Sequence, residues 1–173
     1  MPFKDVLLFL HPTFGVLGMI GALWVFVETL NASETNQQRI RIAGLTTAGL
    51  FALTWFFAGW FYTVYYGHGD QVIITKGPVP WAHSFFMETK EHLFFIPLIL
   101  AFYLALVTRV KLSANRAARV MALTVAGLIV LEGLAIEGAG AIINWGAKDA
   151  LAQTVQTLSA SPAAPANPQQ KVQ

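Results

Sequence analysis

Four long apolar runs, separated by short polar connections, set the pattern of the chain. They cover residues 5–30 (DVLLFLHPTFGVLGMIGALWVFVETL), 42–67, 84–108 and 120–145. Each is long enough to cross a hydrocarbon core of about 30 Å as a helix. The connections are LNASETNQQRIR (30–41), GHGDQVIITKGPVP (67–80), whose Gly and Pro are turn signals, and RVKLSANRAAR (109–119). After Lys148 the apolar pattern gives way to LAQTVQTLSASPAAPANPQQKVQ. That composition predicts a flexible tail over 151–173, disordered from about residue 158. The expectation is an all-α integral membrane protein: an up-down-up-down four-helix bundle over residues 1–150, with a disordered C-terminal tail.

A cleaved signal peptide is the competing reading of the first run. A single Lys4, followed at once by Asp5, is a poor basic lead-in. The run also exceeds an ordinary signal core and lacks a small-x-small site after it, so a retained helix is expected.

Composition strengthens the membrane reading. Hydrophobic residues make up 55% of the 173 and charged residues only 12%, about half of what a soluble domain carries. The net charge of +2 is small and its basic residues are scattered or sit at helix ends, so nucleic-acid binding is not expected. With no cysteine, disulfides, thiolate metal sites, iron–sulfur clusters and covalent c-type haem are excluded. All the arginines (39, 41, 109, 116, 119) fall in the first and third connections. The positive-inside rule puts that side in the cytoplasm, with both termini and the 67–83 loop outside. Tyr62, Tyr65, Tyr66, Trp81 and Trp145 fall near one boundary, as an outer aromatic belt would.

Candidate chemistry gathers at the outer side. The stretch Trp81 to Pro97, WAHSFFMETKEHLFFIP, carries His83, Glu88, Lys90, Glu91 and His92 at the mouth of the third run. His11, His68 and Glu137 fall on the same side. His11 shares a helix face with Gly15, Gly18 and Ala22, and Glu137 shares one with Gly133, Gly140 and Ala141. Small residues let helices approach closely in lipid, so both faces are expected to point inward. Glu88 and His92, four apart, share a face. Ionisable groups in spanning segments are costly and usually face the interior, which makes a functional site the default. Two imidazoles at one depth, His11 and His92, suit a b-type haem. A redox metal, iron or copper, would draw on His11, Glu88, His92 and Glu137, with His68 or His83 as further ligands. The bland readings are a solvated turn for His68, an incidental loop position for His83, a surface cap for His11 ahead of Pro12, and a solvated first turn for Glu88, Lys90 and Glu91. Glu132, about 140° around the helix from Glu137, is either a hydrogen-bonded interior acid or part of a proton path. Pro97 predicts a break near Leu93.

The pattern YYGHGD, a Gly/Pro loop, EHLFFIPLILAFYLAL and then a basic loop with RAAR resembles small four-helix membrane proteins linked to cytochrome oxidase assembly, and more distantly haem A synthase. The resemblance covers about residues 55–125. It implies an outer-side histidine after the second span, here His68, and one opening the third, here His92. The chain lacks histidines at the cytoplasmic ends of the second and fourth spans, so neither an inner-side site nor haem A synthase activity is expected. The function expected is binding of haem b or a redox metal near the outer face of a bacterial inner membrane. It would serve respiratory electron transfer or oxidase cofactor assembly, without independent catalysis. Its partners would be the lipid bilayer and other membrane subunits of a respiratory complex. The alternative is a cofactor-free structural subunit of such a complex.

Overall fold

The computed structural model describes residues 2–160 and, among these, holds helices and no strand. Helix α1 is Phe3–Leu30 and α2 is Gln37–Phe61, which runs on into a π-helical segment, Tyr62–Tyr66. A short helix, α3 (Asp70–Lys76), follows. The third span opens with a second π-helical segment, Ala82–Met87, and continues as α4 (Glu88–Leu93) and α5 (Phe95–Val107). Helix α6 is Arg116–Ala160. Four of these units, Phe3–Leu30, Gln37–Tyr66, Ala82–Val107 and Arg116–Ala160, are long and apolar enough to cross a membrane. Their outer faces fit that setting: Ile99 is 64% exposed, Leu106 60% and Leu131 67%. Such broad apolar exposure suits lipid rather than water.

The break in the third span has a simple cause. Pro97 has no N–H to offer the Leu93 carbonyl, and its ring crowds the preceding turn. The helix is interrupted at Phe94, where the sequence placed a kink. Elsewhere the structure departs from expectation. The 67–80 connection, read as a loop, contains α3, whose Ile74 is fully buried beside Leu7 and Ile143. Helix α1 begins at Phe3, so Pro12 lies inside it and His11 is not a terminal cap. Tyr66, assigned to the interfacial belt, is 2% exposed and belongs to the interior. Helix α6 continues through residues 151–160, all of them exposed, where a flexible tail was expected. The rest of that tail, 161–173, lies outside the described residues.

The helices meet along small residues. A Cβ on Gly18 would stand 2.8 Å from the Phe51 ring, and one on Gly21 would collide with the Thr47 hydroxyl. Gly133 of α6 meets Met19 in the same way. Such backbone proximity is the main source of helix association where lipid removes the hydrophobic incentive. One apolar cluster joins Ala22, Val25, Ile40, Ala101, Leu104 and Ile129. A second joins Leu7, Phe61, Tyr66, Ile74, Ala82 and Ile143 at the other end.

The arginine-bearing end is closed by hydrogen bonds to backbone groups that helix termini leave free. The buried Gln37 side chain donates from Nε2 to the Thr108 and Val110 carbonyls, each at 2.9 Å, and accepts from the Leu112 N–H at 3.0 Å. Arg119 donates to the last carbonyls of α1, Thr29 (3.0 Å) and Leu30, and Arg41 donates to Arg109 O at 2.8 Å. Cations here also oppose the negative ends of the α1 and α5 dipoles. Gln37→Leu would strand three main-chain groups at once. It is expected to destabilise the protein by about 2 kcal/mol or more, read as a lower thermal unfolding midpoint in detergent. An unchanged midpoint would show that the clamp contributes nothing.

Candidate functional site

The end opposite the arginines holds a cavity of about 560 Å³ that is open on one side. From α1 it takes Leu8, His11 and Pro12; from α2 and its π-helical extension, Trp55, Phe61, Tyr62 and Tyr66. Helix α4 contributes Lys90 and Glu91, with Phe94 and Phe95 beside the Pro97 break. Helix α6 supplies Glu137, Gly140 and Asn144. The space follows from local irregularities in the sequence. Gly59, Gly140, Ala141 and Ala147 line the walls with little side-chain volume. Both π-helical segments border the cavity, and such wide turns shift the phase of the side chains that follow.

Within the cavity the His11 ring lies 6.4 Å from that of Phe61, at 21°. His11 Nδ1 and Glu91 Oε1 are both shut away from the cavity, Nδ1 beside the Leu7 carbonyl one turn back and the Glu91 carboxyl on the Tyr62 side. Glu137 reaches the other way: its Oε1 is 2.9 Å from where a Gly15 Cβ would stand, beside the Thr54 hydroxyl. That hydroxyl donates to the His11 carbonyl at 2.7 Å. Gly15 therefore has a specific reason to lack a side chain, since any Cβ would displace the carboxyl. Glu137 also borders a smaller pocket of about 20 Å³ between Gly15, Thr54, Gly133 and Ile136, the size of one water.

Of the sequence candidates, His11 and Glu137 come together on this cavity. His92 and Glu88 do not join them. Both are exposed, and the His92 ring turns back so that Nδ1 donates to the Glu88 carbonyl at 2.6 Å. At 100° per residue only one sector of α4 can face inward. Lys90 and Glu91 occupy it, which turns positions 88 and 92 away. The sequence made the opposite choice of face. His68 is exposed in the turn ahead of α3 and Glu132 is half-buried; neither lines the cavity. Among the described residues no three His, Asp or Glu side chains converge as a metal-ion site.

His83 has a different place from either sequence reading. It is 7% exposed, with Nδ1 2.9 Å from the Tyr66 hydroxyl and Nε2 3.0 Å from the Gln71 amide nitrogen. An amide nitrogen only donates, so Nε2 accepts and Nδ1–H donates to Tyr66 Oη. The phenol proton of Tyr66 is then free to turn to the cavity. Lys4 pairs with Asp70 at 2.9 Å and ties the start of α1 to α3 beside this network. Sequence reasoning missed Gln71 and Asn144, read Tyr66 as part of the interfacial belt, and named Lys90 in the candidate stretch without giving it a role. The π-helical segments break the simple 100° count for Tyr66 and Lys90.

No protein-family model matches the chain, and neither does any curated protein or solved structure.

Tyr66→Phe would leave His83 Nδ1 buried without its partner. A loss of about 1–3 kcal/mol is expected, measured by thermal unfolding in detergent. The double variant with His83→Phe should cost less than the sum of the two single changes; strict additivity would mean that the two side chains do not interact.

Proposed function

We propose that this is an integral membrane protein that holds one b-type haem in the cavity, for respiratory electron transfer or for cofactor delivery to a terminal oxidase. The observation that carries the reading is a single imidazole, His11, on an aromatic-walled cavity of about 560 Å³: its Nδ1 is shut away beside the Leu7 carbonyl, and its Nε2 has no hydrogen-bond partner among the described residues. A bare metal ion needs several protein ligands in convergence. A porphyrin brings four nitrogens of its own and needs only one axial imidazole. Phe61, Trp55, Phe94 and Tyr62 give such a ring an aromatic, largely apolar lining, and Gly140 leaves room at the α6 wall. When bound, haem supplies one-electron chemistry. The resemblance of residues 55–125 to oxidase-assembly proteins points the same way. In this reading His11 is the axial ligand and His92 is not.

The bundle is up-down-up-down, in a bacterial inner membrane, with the arginine end cytoplasmic and the cavity end outside. The ladder of α1 positions 15, 18 and 21 against Thr54, Phe51 and Thr47 of α2 supports the antiparallel pairing. A second reading, a cofactor-free subunit, draws on Gly49 and Gly138. They face open space, where another helix could approach.

Two measurements test these statements. The protein purified in detergent should show a Soret band and a reduced-minus-oxidised difference spectrum, both lost in His11→Ala and kept in His92→Ala. A flat wild-type spectrum would sink the haem reading and favour the structural one. Because the chain has no cysteine, single cysteines report topology cleanly. An impermeant maleimide should label Lys76→Cys in intact cells and Ser113→Cys only after permeabilisation; the reverse result would invert the orientation.

A further inference from the structure

We infer that Lys90 is a carboxylate seat, so that the cavity selects an amphipathic ligand whose apolar body lies among the aromatic walls and whose acid group docks on this ammonium. The inference rests on the cavity described above and deepens the haem reading, because haem b carries two propionates. Its ground is the contrast between Lys90 and the other cations. Lys4 pairs with Asp70, Arg39 with Glu28 and Lys111 with Glu34. Arg41 and Arg119 donate to carbonyls, while Arg109, Arg116, Lys76 and Lys148 are exposed. Lys90 alone is turned into the bundle, and among the described residues it makes no ion pair and donates no hydrogen bond. Lys90 is half-buried, and an ammonium facing an apolar-walled cavity with three unused donors is costly unless something accepts from it.

The nearest carboxylate, Glu137, attracts Lys90 through space but makes no direct ion pair with it. Glu137 directs its head to Gly15 on α1. Lys90 Nζ lies instead across α6 at Gly140, 3.2 Å from the position of an absent Cβ. Glu91 is the next residue along α4, so it departs about 100° around the helix from Lys90. It lies on the Tyr62 side of the cavity. Asn144, one turn beyond Gly140, adds a side-chain amide to the same stripe of α6. Ammonium, amide and a glycine that keeps the approach open together form a donor site at one edge of an apolar space. Charge-assisted hydrogen bonds of this kind discriminate an acid from its ester.

Two sources of the acid group share this chemistry: a porphyrin propionate and a fatty acid. Quenching of intrinsic tryptophan fluorescence in detergent, with Trp55 on the cavity wall, reads binding of metal-free protoporphyrin IX, its dimethyl ester and an anthroyloxy-labelled stearic acid. The wild-type protein should prefer protoporphyrin IX to the ester. Lys90→Met should weaken the acid by about tenfold or more and leave the ester unchanged, while Lys90→Arg keeps most of the preference. Gly140→Leu, which retains the ammonium but fills the space before it, should weaken the acid as well. Equal binding of acid and ester by the wild-type protein, or equal acid binding by wild type and Lys90→Met, would overturn the seat. Iron-dependent haem binding that needs His11 but not Lys90 would leave the function standing and remove this inference. Lys90-dependent binding of the stearic acid probe alone would do the reverse. If none of the three probes binds, the seat falls, while the haem reading stands or falls on the Soret band and its loss in His11→Ala.

Discussion

Close packing along α1 is the constraint that shapes the bundle. At Gly18 and Gly21 there is no room for a Cβ against Phe51 and Thr47 of α2, and at Gly15 none against Glu137 of α6. Gly18 and Gly21 bring the α1 and α2 backbones together, and van der Waals contact then replaces the hydrophobic term that lipid cancels. The seam between α1 and α2 does not stop at Gly15: Phe14 stacks on Phe57, the Thr54 hydroxyl donates to the His11 carbonyl, and Phe3 packs edge-on against Trp60. The cavity lies between this joined pair and the irregular third span and α6, which stand off from it at the end away from the arginines.

The two ends of the bundle solve opposite problems. At the arginine end, connections of a few residues are pinned by side chains that saturate free carbonyls: Gln37, Arg41, Arg119, and Asn36, which donates to Glu28 O at 3.0 Å. That end has no reason to move. At the other end the backbone departs from regular α geometry twice and breaks at Phe94. Irregular backbone at membrane depth is tolerated where it is buried in protein or lines a cavity. Its concentration on one side marks where the chain has traded regular helix for a site.

The membrane-spanning design was legible because it rests on length and composition, which need no phase. The four apolar runs, the break before Pro97 and the inward faces of His11 and Glu137 all follow from counting residues. What escaped was phase after an irregularity. Glu88, Lys90, Glu91 and His92 form a sequence in which either pair can face inward, and the π-helical segment just ahead of them decides. Helix α3 was hidden for another reason. DQVIITK is short and flanked by glycines, and it is helical because Ile74 packs against Gly146 of α6, a tertiary contact with no local signature.

Helix α6 runs unbroken for 45 residues, about 67 Å, more than twice the hydrocarbon thickness. It carries Glu137 and Gly140 in the cavity wall and, on the same rod, ten exposed residues from 151 to 160. With no proline or hinge between them, wall and mast are one mechanical part. Gly77 and Gly146 let the end of α3 and the second π-helical segment pack tightly on that rod, at Ala150 and Ala82, between the cavity wall and the exposed turns. The same helix thus carries the wall and a solvent-facing extension with no break in its backbone.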